Sequence, residues 1–123
     1  MKVEVSNGEI IDKLTILVIK SERIKDANKR ANTQKELALL KQASENIISQ
    51  NDPLYLELLR INAELWEIED QIRECERRKD FGDRFIQLAR SVYIKNDRRA
   101  EVKKLINLQT NSNLIEEKSY ETY

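Results

Sequence analysis

The sequence predicts an all-α fold, an elongated antiparallel bundle of three to five helices with a heptad-patterned central helix. The chain has only two glycines and one proline, whereas sheets and tight turns use more of both. Charged residues make up 36% of the 123 residues, a proportion typical of long, solvent-exposed helices. Apolar residues recur at helical spacing, which argues against disorder. At this length we expect one domain, residues 1–123.

The first two helices are predicted over about residues 7–27 and 33–49. Ser6 is the expected N-cap of the first helix, and Glu9 three residues later completes a capping box. The stretch between the two helices, "DANKRANT" (26–33), is polar and weakly patterned. It is either a loop or an exposed continuation of a helix.

The third helix, about residues 53–79, has the clearest pattern. Asp52 is the expected N-cap, and Pro53 occupies the first helical position, where proline is favoured. One apolar strip keeps a heptad spacing over three heptads and predicts a coiled coil: Leu54, Leu58, Ile61, Leu65, Ile68, Ile72 and Cys75.

A second strip on the same helix consists of Tyr55, Leu59, Asn62 and Trp66 and lies about 120° or more from the first. A helix with two such strips needs two partners. One is a neighbouring helix, and the other is a further helix or a second copy of the chain. We therefore expect a homodimer with Tyr55, Leu59 and Trp66 at its interface.

Gly82 is expected to end the third helix. A fourth helix is predicted over about 83–95, with Asn96 or Asp97 as the N-cap of a fifth over about 97–109. A short tail, 113–123, follows.

Charge and composition exclude several classes of function. The 22 basic and 22 acidic residues cancel, so a nucleic-acid partner is not expected, although residues 71–104 alone carry a net charge of +5. No apolar run approaches the length of a membrane span, and no signal peptide is recognisable at the N-terminus. One cysteine, Cys75, fits a reducing compartment, so we expect a soluble, cytoplasmic protein.

Catalytic chemistry is also restricted. The chain has no histidine, which removes Ser-His-Asp and Cys-His triads and histidine-bound metals. It has no glycine-rich phosphate loop, and we expect no cofactor. Glu64, Glu67 and Asp70 follow one another at i+3 steps, and such carboxylates can hold Mg²⁺. The alternative is a solvated face that pairs with nearby arginines.

The segment 58–107 resembles helical chorismate mutases, which bind a dicarboxylate with arginines from several helices. Arg60, Arg77, Asp97 and Glu101 match their pattern, whereas Ala100 stands where its last arginine should be. The resemblance implies an arginine-lined pocket for an anionic ligand.

Four blocks of sequence occur together: "EVSNGEIIDKLTIL", "LWEIEDQIR", "FIQLARSVYIKNDRRAEVKKLIN" and "EEKSY". In these four blocks the chain resembles an uncharacterised family of small helical proteins found in bacteria and phages. The likeness covers nearly the whole chain. It implies a free-standing helical domain and no particular substrate.

Two explanations remain open for the polar residues near positions 90–104 and for the "EEKSY" tail. Either the tail folds back and its carboxylates pair with the basic segment, or these groups line one polar pocket. The function we expect first is a non-catalytic helical binding or interaction module that self-associates or meets another protein. The alternative is an anion-binding protein or enzyme. Its pocket would contain Arg60, Arg77, Arg90, Tyr93, Asp97, Arg98 and Glu101.

Overall fold

Four α-helices form all the regular structure of the chain, and no strand occurs. The computed structural model describes residues 1–123, with α1 at Asn7–Arg23, α2 at Ala27–Ser44, α3 at Pro53–Arg77 and α4 at Asp83–Gln109. The predicted all-α fold is therefore confirmed. None of the four helices combines the length and the apolar character needed to cross a membrane.

Helix α1, rather than the heptad-patterned α3, has the central position. It contacts each of the other three helices, whereas α2 packs against α1 alone. Helices α3 and α4 are antiparallel, because Glu64 of α3 pairs with Lys95 while Asp52, just before α3, bonds Gln109 at the end of α4. The core contains Ile11, Leu14, Leu17, Leu37, Tyr55, Leu58, Ile61, Val102 and Ile106.

The predicted N-caps of α1 and α3 are confirmed. The Ser6 hydroxyl accepts a hydrogen bond from the Glu9 amide at 3.1 Å, and the Asp52 carboxylate accepts one from the Leu54 amide at 2.9 Å. The Glu9 side chain does not complete the capping box. Its carboxylate instead pairs with Lys103 of α4 at 2.7 Å, so it joins two helices.

The predicted break at Asn96 or Asp97 is wrong, because α4 is one unbroken helix. Both residues have side chains suited to an N-cap, but here they bind other groups. Asn96 accepts from Arg99 and Asp97 from Lys118. The buried residues of α4 all lie in its second half: Val102, Ile106 and Asn107.

The boundaries of the first two helices also differ from the prediction. Helix α1 ends at Arg23, and α2 already begins at Ala27. The carboxylate of Asp26 caps α2 by accepting from the Lys29 amide at 2.9 Å. The polar stretch after residue 26 is thus helical, and its weak apolar pattern reflects its position on the surface of the bundle.

The two glycines have very different surroundings. At Gly8, in α1, an added Cβ would lie 2.5 Å from the Lys103 carbonyl oxygen of α4. At Gly82, just before α4, the nearest atom would be a side-chain oxygen of Asp80 at 3.4 Å. The left-handed residue of this chain reversal is Lys79, with φ 55°, so Gly82 is not required for its backbone conformation.

We predict that Gly8→Ala lowers the free energy of unfolding by about 1–3 kcal/mol, because α1 and α4 must move apart. Gly82→Ala is the matched control and should change it by less than about 1 kcal/mol. Urea unfolding followed by far-ultraviolet circular dichroism measures both. Equal effects of the two substitutions would contradict the close approach of α1 and α4.

Candidate functional site

The structure does not bring the seven predicted ligand-binding residues together. Arg60 and Arg77 are 17 positions apart on α3, which places them roughly 25 Å apart along the helix. Arg77 pairs with Glu74 at the C-terminal end of α3. Arg60 and Arg98 are neighbours, since both reach Glu57, at 4.0 and 2.7 Å. No single ligand of metabolite size can contact both ends of this set.

The other four members of the set also lie on α4. Tyr93 packs against Tyr123 of the tail, with ring centroids 5.1 Å apart. Asp97 binds Lys118, and this hydrogen bond, with a second from Tyr123, lowers the pKa of the Asp97 carboxyl. Arg90 is exposed and reaches only Gln87, while Glu101 pairs with Arg98.

The three carboxylates considered for Mg²⁺ also point apart. Glu64 binds Arg60 and Lys95, and the Lys95 hydrogen bond is the main cause of its lowered pKa. Glu67 pairs with Arg23 of α1. Asp70 makes no ion pair, and no three acidic or cysteine side chains converge on a common point. Glu64 and Glu67 therefore form ion pairs with basic side chains, as the alternative to a Mg²⁺ site predicts.

The second strip of α3 faces α1 of the same chain. Tyr55 is buried in the core, with 4% of its surface exposed, and Leu59 packs against the same cluster. Asn62 of this strip bonds side chains of α1. The further partner that this strip requires is therefore a helix of the same chain, and Tyr55 is not available at a surface. Trp66 is half-buried at the edge of the strip.

One buried carboxylate lies where α1, α3 and α4 meet. The Asp12 side chain is 2% exposed. Its Oδ1 accepts from Arg99 Nε at 2.8 Å and from Asn62 Nδ2 at 2.9 Å, and its Oδ2 accepts from Arg99 Nη2 at 2.5 Å. These bonds to Asp12 raise the pKa of the Arg99 guanidinium. The Asp12–Arg99 pair is thus a bidentate ion pair, the strongest common geometry for these two groups.

Further polar contacts extend this ion pair along the helices. The Asn62 amide also donates to the Thr15 hydroxyl at 2.8 Å. Towards the start of α1, the Gly8 amide donates to the Asn107 side chain at 2.6 Å, and Lys103 lies 3.9 Å from Asp12. Polar contacts therefore hold α1 to α4 over several turns.

A groove of about 590 Å³ opens beside the Asp12–Arg99 pair, between α1, α3 and α4. This volume is within the range of ligand sites, about 300–1,000 Å³. Its walls combine apolar, amide and charged side chains, the mixture that ligand sites use. They are Ile16, Asn62, Leu65, Trp66, Glu69, Asp70, Arg73, Val92, Asn96 and Arg99.

The orientations of the two amide side chains in the groove are fixed by charged partners. A carboxylate only accepts, so the amino group of Asn62 must face Asp12. A guanidinium only donates, so the carbonyl oxygen of Asn96 must face Arg99, at 3.3 Å. The Asn62 carbonyl oxygen and the Asn96 amino group are therefore left without protein partners, as an acceptor and a donor.

The C-terminal tail, residues 110–123, folds back along α4 and onto the start of α1. Lys104 donates to both carboxylate oxygens of Glu117 at 2.9 Å, and the Ser6 hydroxyl donates to Glu116 at 2.6 Å. Of the two explanations for the polar tail, these contacts match the one in which its carboxylates pair with the basic segment.

Asp12, Asn62 and Arg99 were not among the predicted site residues, although Asp12 and Asn62 each had a detectable signature. Asp12 and Thr15 interrupt the apolar face of α1, and Asn62 stands inside an apolar strip of α3. A polar residue in an apolar face predicts a buried hydrogen bond. Its partner, however, depends on which helix packs there.

The comparisons with known proteins identify a family. Residues 1–123 match the model of a family described as a family of unknown function, DUF6165. No curated protein and no solved structure matches the chain. Since the match covers every residue, the chain belongs to the DUF6165 family.

Proposed function

We propose that the chain is a non-catalytic binding protein whose ligand occupies the groove between α1, α3 and α4. The observation that carries the proposal is the pair of oriented, unpartnered amide groups of Asn62 and Asn96 beside Trp66. A few polar groups placed among apolar side chains are the usual form of a small-molecule site. We also propose a cytoplasmic location, which is supported by the lack of an internal disulfide, since the chain has only one cysteine, Cys75.

The chemistry of the lining supports binding rather than catalysis. The groove contains no serine, threonine, cysteine, lysine or tyrosine that could act as a nucleophile. Its two carboxylates are Glu69, which pairs with Arg73 at 2.5 Å, and Asp70. The Glu69 carboxylate is thus engaged in an ion pair, which leaves Asp70 as the one unpaired carboxylate of the lining.

We predict that a ligand of this groove stabilises the wild-type chain and loses that effect when the groove is filled. Val92→Phe adds a ring to the groove lining without removing a hydrogen bond. Ala89→Phe adds the same ring to α4 at an exposed position outside the groove and is the matched control.

A thermal-shift panel of sugars, amino acids, nucleotides, organic acids and amines provides the measurement. At 100 times its dissociation constant, a ligand adds about 2.7 kcal/mol to the free energy of unfolding. The expected hit is retained in Ala89→Phe and lost in Val92→Phe. If every hit is unaffected by Val92→Phe, the groove is not the binding site.

Self-association is a second candidate, favoured by one uncovered face of the α3–α4 pair. Ile94, Leu105 and Leu108 recur along one side of α4 and are 45%, 43% and 55% exposed. Arg98, on the same side, pairs with Glu57 of α3, so the strip lies beside α3. Its mixed charges allow two copies related by a two-fold axis to place opposite charges together.

We predict that Leu105→Glu converts a dimeric wild type to a monomer, because it places a charge in the apolar strip of each copy. Leu39→Glu, at a position of α2 that is 62% exposed, is the control and should leave the dimer intact. Sedimentation equilibrium at equal concentrations distinguishes the two. A monomeric wild type, or equal behaviour of the variants, would contradict this interface.

A further inference from the structure

The charged groups in the groove leave no cation free for an anionic ligand. Both guanidinium groups of the lining already have carboxylate partners: Arg99 forms two hydrogen bonds with Asp12, and Arg73 pairs with Glu69. Asp70, which makes no ion pair, would repel an anion. Because both guanidinium groups are neutralised by carboxylates, Asp70 leaves the groove with one net negative charge, which disfavours an anionic ligand. An ammonium group could pair with Asp70 but only donates hydrogen bonds, so it could not bind the Asn96 amino group, whereas a neutral hydroxyl could.

The unpaired polar atoms in the groove require both donors and acceptors from that ligand. The Asn62 carbonyl oxygen and the Asp70 carboxylate accept hydrogen bonds, whereas the Asn96 amino group donates them. A hydroxyl group both donates and accepts. A ligand with several adjacent hydroxyls can therefore satisfy all three side chains at once.

The rest of the lining is apolar and includes an aromatic ring. The apolar part of the lining consists of Trp66 and Leu65 of α3, Val92 of α4 and Ile16 of α1. Sugar rings have an apolar face of C–H bonds and an edge of hydroxyls. Such a face packs against an indole, which supplies a large and rigid apolar surface.

We propose that the groove binds a neutral carbohydrate of mono- or disaccharide size, an inference that rests on the proposed binding function. Trp66 packs against a ring face of the sugar. Asn62, Asn96 and Asp70 hydrogen bond to its hydroxyls. The ligand is thus polyhydroxylated and uncharged, rather than the organic anion first expected.

The single tryptophan allows a direct test on the full chain. Because Trp66 is the only tryptophan, its fluorescence reports on the groove alone. We would titrate glucose, galactose, mannose, N-acetylglucosamine and their disaccharides in one arm. Citrate and inorganic phosphate form a second arm, and spermidine and choline a third. Asp70→Ala tests the groove, and Glu67→Ala removes an exposed carboxylate of α3 outside it.

The expected result is a saturable change in Trp66 emission with at least one neutral sugar and with no anion or amine. Asp70→Ala should weaken that binding about tenfold, equivalent to about 1.4 kcal/mol, and Glu67→Ala should leave it unchanged.

Three other outcomes would contradict the inference. If citrate, phosphate or an amine binds, no sugar binds, and Val92→Phe abolishes the binding, the carbohydrate inference is overturned but the binding function stands. Sugar binding that is insensitive to Asp70→Ala and to Val92→Phe would also overturn it. If no compound of any class binds, both proposals fail.

Discussion

One buried ion pair sets the arrangement of three of the four helices. Removing a carboxylate from water is unfavourable by several kcal/mol unless charged and hydrogen-bonding partners replace the water. Asp12 of α1 meets this requirement with two bonds from Arg99 of α4 and one from Asn62 of α3. Sliding either helix by one turn, about 5.4 Å, would leave the carboxylate buried and unpaired. The ion pair therefore fixes the register of both neighbours on α1.

The same constraint produces the groove. Asn62 and Asn96 both line the groove and use one end of each amide to support the Asp12–Arg99 pair, which leaves the other end of each amide without a protein partner. Binding groups held by a second layer of hydrogen bonds are the ones whose positions are most precise. Val92 and Asn96 also line a second cavity, of about 410 Å³, between α4 and the tail, so the groove and this cavity share two wall residues.

Much of the fold was predictable because it depends on local signals. Ser6 and Asp52 are strong N-caps, and the heptad strip of α3 defines a long helix on periodicity alone. The continuity of α4 was not predictable in this way. Asn96 and Asp97 are ordinary cap residues by local rules, and only their partners Arg99 and Lys118 explain why they do not break the helix.

The site was largely hidden from sequence reasoning for a related reason. The predicted pocket consists of arginines that match a spacing along the chain. A real site depends instead on which helices pack against each other. The sequence predicts Trp66 at a dimer interface and Asp70 among possible Mg²⁺ ligands, and it assigns no role to Arg99. Their common groove follows only from the packing of α1 against both α3 and α4, which no local pattern encodes.

A double-mutant cycle of Asp12→Ala and Arg99→Ala, with urea unfolding followed by circular dichroism, tests the role of the ion pair most directly. Arg99→Ala alone should lower the free energy of unfolding by about 3–5 kcal/mol, because it leaves a buried carboxylate without its charged partner. The double variant should lose much less than the sum of the single changes, with a coupling energy of about 2 kcal/mol or more. Single effects below about 1 kcal/mol that simply add, as for an exposed pair, would contradict an Asp12–Arg99 pair that organises the fold.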